Sequence, residues 1–148
     1  MVIKECGVDE LCNAIEMRII VPEFLSVSLI PDHYSNHLEA EAFIRALAAN
    51  SDVIIGAFTE SGTCAGFVFG KVADDLKANS LVVNVSTFIV FSAYRGGTVA
   101  GRMMRQLRLV AGQRGCNGMF FSAVHGSEMS RGFAKRMKPV FDIYYGEV

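Results

Sequence analysis

The chain has 148 residues, of which 51% are hydrophobic, and its 14 Lys/Arg and 15 Asp/Glu leave a net charge of −1. This size and composition predict one domain over residues 1–148, with enough apolar side chains for a core that needs no disulfides. No apolar run approaches the roughly 20 residues of a membrane span, and the N-terminus has no apolar signal region, so we expect a cytoplasmic protein that does not enter a membrane.

The four cysteines and three histidines of the chain are scattered along it. They form no C-x-x-C pair and no Cys/His cluster of the kind that holds a metal ion. We therefore expect reduced, mostly buried thiols and no metal site.

The first 36 residues predict a strand, a helix and a loop. Val2–Glu5 is a short candidate strand. Apolar residues recur at helical spacing across Val8–Val21, and Pro22 ends the helix predicted there. Phe24–Ile30 fits either a strand or a buried loop, and Ile30–Asn36 has the composition of a loop.

The middle of the chain predicts a second helix and then a hairpin. An amphipathic helix is expected over His37–Ala49. Two β-rich runs, Asp52–Thr59 and Cys64–Val72, flank a Ser-Gly turn and predict a β-hairpin. The polar segment Ala73–Ser80 is predicted to be a connector.

A strand, a glycine-rich turn and a helix follow in direct succession. The strand Leu81–Phe91 is dense in β-branched and aromatic residues, and Ser92–Gly97 is the turn. The helix begins near Thr98, whose hydroxyl could cap its first turn, and Gly115 is its left-handed stop. The stripe predicted to be buried comprises Val99, Met103, Leu107, Val110 and Ala111.

Three further elements complete the chain. They are a strand at Gly118–Val124, a helix from Ser127 to Lys138 and an alternating strand at Val140–Val148. The element order is then β-α-α-β-β-β-α-β-α-β. Early hairpins and a late β-α-β crossover predict an α/β fold with a mixed sheet of about six strands and helices on both faces.

The start of the central helix has the properties of an anion site. A helix N-terminus presents unpaired N–H groups and the positive end of the helix dipole. Small residues there let phosphates approach the backbone, and an arginine adds a fork of donors. These residues are Arg95, Gly96, Gly97, Ala100 and Gly101. An ordinary strand-to-helix turn also uses glycine, so spacing alone leaves both interpretations open.

Charge is distributed unevenly between the two parts of the chain. Residues 1–94 carry five Lys/Arg and twelve Asp/Glu, a balance of −7, whereas residues 95–148 carry nine and three, a balance of +6. The basic part contains the candidate anion site, as an anionic cofactor requires. Arginines that only solvate helix faces would give the same balance.

Two polar residues interrupt the central strand. By alternation Asn84 and Ser86 share a face with Phe88 and Val90. A polar side chain in an apolar strand either borders a wet cleft or bonds to a neighbouring loop. Both interpretations stay open at this point.

The segment VFSAYRGGTVAGRMM, residues 90–104, resembles the coenzyme A signature Arg/Gln-x-x-Gly-x-Gly/Ala of the GNAT superfamily of N-acetyltransferases. Arg95 matches the first position and Ala100 the last, while Thr98 replaces the central glycine. The resemblance implies a GNAT-like acyl-CoA N-acyltransferase fold, with acetyl-CoA as co-substrate. The positions that it assigns to coenzyme A are Ile89, Val90, Phe91, Arg95, Gly96, Gly97, Thr98, Val99, Ala100 and Gly101.

The same resemblance leaves the catalytic residues open. By position, the glutamate base that many members carry on this strand is Asn84. The Asn and Tyr of the last helix are Ser127 and Ala134. The acid and base come from other residues, or water carries the protons, or the chain binds acyl-CoA without transfer. The candidate catalytic residues are Asn84, Ser127, Tyr144 and His37; further candidates are Tyr94, His125, Glu128 and Tyr145, with His33 near the expected acceptor side.

The predicted function is transfer of an acetyl group from acetyl-CoA directly to a primary amine of a small molecule or protein. The alternative is an inactive acyl-CoA-binding or protein-interaction module. The near-zero net charge and the lack of interleaved aromatic and basic residues argue against a nucleic-acid partner. The sequence leaves open whether the chain acts as a monomer or a homodimer.

Overall fold

The computed structural model describes residues 1–19, 37–75, 79–123 and 128–140 of the chain. A short 3₁₀ turn, Ser92–Tyr94, joins the fourth strand to the third helix. In chain order the elements are β1 (Val2–Glu5), α1 (Val8–Ala14), α2 (His37–Ala49), β2 (Val53–Phe58), β3 (Cys64–Asp75), β4 (Ser80–Val90), α3 (Val99–Gln113), β5 (Cys116–Phe121) and α4 (Glu128–Ala134).

The strands form one mixed sheet, as the element order predicts. The described strands lie in the order β1-β2-β3-β4-β5, and the first four are antiparallel neighbours. β5 is parallel to β4, which α3 makes possible as the crossover helix. The structure describes five strands; in the predicted sixth strand, residues 141–148 lie outside the described residues.

Helices pack on both faces of the sheet, which confirms the predicted layers. On one face α1 and α2 cover an aromatic core that includes Phe67, Phe69 and Ile89. On the other face α3 covers a core of smaller side chains such as Val68 and Val83. Both sets include side chains of β2, β3 and β4, because residues of a strand alternate between its faces.

The predicted stripe of α3 is confirmed in full. Val99, Met103, Leu107, Val110 and Ala111 are its buried residues. Gly115 has φ +77, in the left-handed region where glycine is favoured, so it ends the helix as predicted.

The prediction that the hydroxyl of Thr98 caps α3 is wrong. Thr98 does precede the helix, but its backbone is already helical at φ −88 and ψ −4, and its hydroxyl makes no cap hydrogen bond. A side-chain cap needs an extended backbone at that residue for the oxygen to reach the next amides. The first-turn amides of α3 are therefore not covered by this side chain.

The helix predicted over Val8–Val21 is shorter. α1 stops at Ala14 because Ile15 is extended, with φ −83 and ψ 126, and one helical turn follows at residues 17–19. The extended backbone suits a β-branched residue and leaves Ile15 buried beside Leu11. The predictions for Phe24–Ile30 and Ile30–Asn36 lie outside the described residues.

The polar segment Ala73–Ser80, predicted to be a connector, belongs partly to the sheet. β3 continues to Asp75 and β4 begins at Ser80, with Ala73 opposite Val82 and Asp74 opposite Leu81. Hydrogen bonds to a neighbouring strand outweigh the low strand propensity of these residues. Residues 76–78 lie outside the described part of the chain.

A bulge in β4 overturns the predicted faces of that strand. Thr87 pairs with Phe69 but Val85 pairs with Gly70, so Ser86 is an extra residue without a register partner. One inserted residue exchanges the faces of all residues that follow it. Val85 and Val90 therefore contact the same α3 core, and Asn84 lies on the opposite face from Phe88 and Val90.

Cys64 provides a testable pH dependence. Burial raises the pKa of its thiol from the ordinary 9.0 to about 12. The folded chain thus keeps this proton at pH values where the unfolded chain has lost it. We expect the contribution of this thiol to the free energy of unfolding to be constant below about pH 9 and to fall from pH 9 towards 12, by about 1.4 kcal/mol per pH unit. Urea titrations at pH 8 to 11 measure this.

The matched control is Cys64→Ala, which removes the titrating group and leaves an apolar side chain at the buried position. The decline above pH 9 should become shallower, and the remainder comes from other groups such as Cys6, whose pKa burial also raises to about 12. An unchanged decline in this variant would contradict the prediction.

Candidate functional site

The sheet opens into a fork between β4 and β5. The two strands pair from Leu81 opposite Cys116 to Val85 opposite Phe121. β5 ends there, whereas β4 continues to Val90 and, among the described residues, pairs only with β3. Within the described part of the chain, the last five residues of β4 therefore have no partner strand on this edge, to which an extended ligand can bind as an additional strand would.

The main-chain groups on this edge can be assigned from two hydrogen bonds. Phe91 donates its amide to Ala65 of β3 at 3.0 Å. Because main-chain groups alternate sides along a strand, Ile89 also faces β3, while Phe88 and Val90 face the open edge. In agreement, the Val90 carbonyl accepts a 2.8 Å hydrogen bond from Nε of Arg95. Of the three residues predicted to meet the cofactor through their backbone, Val90 is the one directed at the fork.

The glycine-rich segment lies directly after this edge and is open to solvent. Residues 95–98 are exposed, as are Ala100 and Gly101, whereas Val99 packs into the core. Gly96 has φ +79, which favours glycine at this turn. A Cβ built on Gly101 would meet nothing within 4 Å, and one on Gly97 would only reach 4.0 Å from the Tyr94 carbonyl. A ligand therefore has room to approach the backbone.

The amides of the first turn of α3 lie next to this exposed segment. The first helical hydrogen bond runs from the amide of Arg102 to the carbonyl of Thr98 at 3.0 Å. The amides of Val99, Ala100 and Gly101 precede it and have no acceptor within the helix, as at any helix start. Together with the positive end of the helix dipole, they favour an anion at this place.

The structure places only some of the candidate catalytic residues. Asn84 is exposed and lies opposite Phe120, one residue before Val85, the last residue of β4 that pairs with β5. His37 begins α2, and its side chain lies outside the description. Ser127 and Tyr144 lie outside the described residues, as do His33, His125 and Tyr145. Ala134 is the last residue of α4.

Ser86 occupies the bulge beside the fork. Its hydroxyl lies 3.5 Å from the carbonyl of Phe69 on β3, and the residue is exposed. Both Asn84 and Ser86 are exposed, so neither is a buried polar side chain that needs a partner.

An aromatic cluster at the fork could not be found from the sequence. The ring centroid of Phe133 on α4 lies 4.9 Å from that of Phe121 on β5 and 6.4 Å from that of Phe88 on β4. Such tilted and edge-to-face contacts are the favoured geometries of aromatic pairs. The cluster attaches the short helix α4 to both strands where they separate. Its members come from three distant segments, so no local pattern announces it.

A cavity in the described part of the chain lies away from this segment. It has a volume of about 550 Å³ and lies at the start of β4, the opposite end of the strand from Val90. Asp74 and Asp75 line it, and their carboxylates would repel phosphate. This cavity is not the anion site that the sequence predicts.

The described residues contain no group of three or more His, Cys, Asp or Glu that could hold a metal ion. The absence of a metal site in the whole chain stays a prediction. Within the same residues, none of the helices combines the length and apolar character needed to cross a bilayer.

Solved structures of similar fold are numerous, although no protein-family model and no curated protein matches the sequence. A ribosomal-protein-alanine N-acetyltransferase from Brucella melitensis biovar Abortus 2308 is 14% identical, with a TM-score of 0.72 and 100% of both chains covered. An integron cassette protein from the mobile metagenome of V. cholerae is 16% identical, with a TM-score of 0.76 over 99% of this chain and 92% of that one.

A third similar structure is the glucosamine-6-phosphate N-acetyltransferase from Arabidopsis thaliana, 12% identical, with a TM-score of 0.66 over 98% of this chain and 97% of that one. Because the sequence identities are low, these similarities are similarities of fold alone. The chain has the GNAT N-acetyltransferase fold, as the signature at residues 90–104 predicts.

Proposed function

We propose that this protein is an acetyl-CoA-dependent N-acyltransferase that acetylates a primary amine. The observation that carries the proposal is the edge of β4 that no described strand pairs with, which leads through one short turn into an open, glycine-rich helix start. An extended pantetheine arm with amide groups fits the edge, and a pyrophosphate fits the first turn of α3. Coenzyme A joins these two chemical groups in one molecule.

In the proposed reaction the amine nitrogen attacks the thioester carbonyl, and the C–S bond breaks as the amide C–N bond forms. A neutral amine loses one proton, and the departing thiolate gains one. An acceptor that arrives as an ammonium ion first loses a further proton to a base or to water, so that in this case one proton is released overall. The amides of Phe88 and Val90, which face the open edge by alternation, are the donors available to polarise the thioester carbonyl. Binding along a rigid strand holds the thioester at a fixed distance from the acceptor, which by itself lowers the barrier.

The proton carriers are separate from this scaffold. Asn84 lies beside the fork, but a carboxamide does not accept a proton at neutral pH, so it serves to orient the acceptor or a water molecule. Tyr144 and Tyr145 are the nearest alternatives in sequence to the tyrosine that Ala134 replaces. Testing Tyr144→Phe and Tyr145→Phe separates the cases: a rate loss on the order of 100-fold in one variant identifies the acid. If both rates are unchanged and no other ionisable residue after Val124 affects the rate, water is the proton carrier.

The deciding experiment measures release of free thiol from acetyl-CoA in the presence of a panel of amines. Turnover that depends on the amine supports the proposed enzyme. Binding of coenzyme A without turnover favours the second candidate, an acyl-CoA-binding module. Asn84 and Ala134 support this candidate, because they stand where the GNAT resemblance expects the glutamate base and the tyrosine acid. Failure to bind coenzyme A would reject both.

The acceptor is proposed to be a cationic amine. The balance of −7 over residues 1–94, which include α1 and α2, attracts ammonium groups. We expect a lysine peptide and a polyamine to be acetylated faster than an aminoacyl-tRNA, and their rates to fall when salt is raised because salt screens this attraction. Faster acetylation of the tRNA, or cationic amine rates that do not change with salt, would reject this acceptor.

A further inference from the structure

The side chain of Arg95 folds back from the glycine-rich segment onto the open edge of β4. Its backbone is extended, with φ −73 and ψ 159, and its amide donates to the carbonyl of Ser92 at 3.3 Å. From this position its Nε–H donates to the Val90 carbonyl at 2.8 Å. One arginine therefore connects the candidate phosphate site to the candidate pantetheine edge.

This hydrogen bond occupies an acceptor that an extended ligand needs. Phe88 and Val90 are the residues of the free edge whose main chain faces the fork, and an incoming amide N–H would donate to their carbonyl oxygens. While the guanidinium of Arg95 lies against Val90, it competes with such an amide for both the carbonyl and the space beside it. A ligand that offers only amide groups must displace it.

A ligand with phosphates has a second way to move the guanidinium. Charge-assisted, bidentate bonds from arginine to phosphate are stronger than a bond to a neutral carbonyl. A pyrophosphate at the first turn of α3 lies within the segment that carries Arg95 itself, so it can draw the guanidinium away from Val90. The same event that binds the phosphate then frees the strand edge for the pantetheine arm.

We propose that Arg95 determines specificity by closing the β4 edge to phosphate-free thioester carriers and opening it to those that bear a pyrophosphate. The inference rests on the proposed function, since it concerns the same cleft. It goes further by assigning Arg95 two opposite effects: it favours ligands with phosphates and disfavours ligands without them.

The test compares the affinities of coenzyme A and of pantetheine for the wild type and for Arg95→Met, by calorimetric or NMR titration. Methionine keeps an unbranched side chain of similar reach but has no N–H donor. We expect Arg95→Met to weaken coenzyme A binding at least tenfold, which corresponds to about 1.4 kcal/mol. We expect the same variant to strengthen pantetheine binding about threefold or more. If Arg95 had only a structural role, its replacement would weaken the binding of both ligands.

The matched control is Arg102→Met. Arg102 is an exposed arginine of the first turns of α3 that also donates to a main-chain carbonyl, from Nη2 to Met1 at 3.0 Å. It does not contact β4 through that bond, so its replacement should leave pantetheine affinity unchanged. The affinity for coenzyme A should change less than in Arg95→Met.

The outcomes separate the inference from the proposed function. If wild type binds coenzyme A but Arg95→Met binds pantetheine no more tightly, the inference is wrong and the proposed function stands. Equal strengthening of pantetheine binding in Arg102→Met also contradicts the inference, because the effect would then come from net charge. If wild type binds neither ligand and Arg95→Met does not gain pantetheine binding, both are wrong.

Discussion

Replacing Gly101 by Glu is expected to weaken coenzyme A binding roughly 30-fold. Two unit charges about 8 Å apart near a protein surface repel by about 2 kcal/mol, and each 1.4 kcal/mol corresponds to tenfold in affinity. Gly101 lies in the first turn of α3, where the pyrophosphate is proposed to bind. A new carboxylate there opposes the phosphates directly. Calorimetric titration of the variant with coenzyme A measures the loss.

The structure makes this substitution safe for the fold. A Cβ on Gly101 would meet nothing within 4 Å, and a glutamate in the first turn of a helix is favoured by the helix dipole. The variant should therefore unfold at the same temperature as the wild type or higher. A folded Gly101→Glu protein with unchanged affinity for coenzyme A would contradict the phosphate site proposed at the first turn of α3.

Gly112→Glu is the matched control. Gly112 is in the same helix, is also exposed and also has open space at its Cβ position, but it lies near the opposite end of α3. The charge change is identical, so net charge alone would affect both variants equally. We expect Gly112→Glu to bind coenzyme A within about twofold of the wild type, less than about 0.5 kcal/mol. The loss in Gly101→Glu should also become smaller in raised salt.

Gly66→Ala is expected to lower the free energy of unfolding by about 3 kcal/mol, the upper part of the usual range for overpacking. Gly66 lies on β3 opposite Val90. A Cβ at this position would lie 2.5 Å from the carbonyl oxygen of Ile89 and 3.1 Å from the Cα of Val90. These are main-chain atoms, which can give way only if β4 itself moves. Urea titration at neutral pH measures the change.

Gly66→Ala also tests the use of β4 as a binding edge. The displaced residues include Val90, whose carbonyl faces the fork. We therefore expect the folded fraction of Gly66→Ala to bind coenzyme A more weakly than the wild type does. Gly112→Ala is the control: alanine in a helix is favoured over glycine by about 0.5–1 kcal/mol, so this variant should be more stable. Equal stability of the two alanine variants would contradict the close approach of β3 and β4.

The sequence by itself predicts the elements whose signal lies in contiguous residues. The buried stripe of α3 follows from the spacing of apolar residues, because a helix places residues three and four apart on one side. The hairpin of β2 and β3 follows from β-rich runs around a turn, and Gly115 from the need for a left-handed residue. The signature at residues 90–104 likewise predicts the fold, because it joins a strand, a turn and a helix start that are adjacent in the chain.

Only the tertiary structure decides the features that depend on pairing between distant segments. The bulge at Ser86 exists because β4 pairs with β3 in two registers, and it reverses the faces that alternation assigns to Asn84 and Val90. The fork exists because β5 stops pairing at Phe121 while β4 continues. The contact of Arg95 with Val90 depends on the path of the turn between them. Each of these is a relation between separately formed elements, and local propensity carries no information about it.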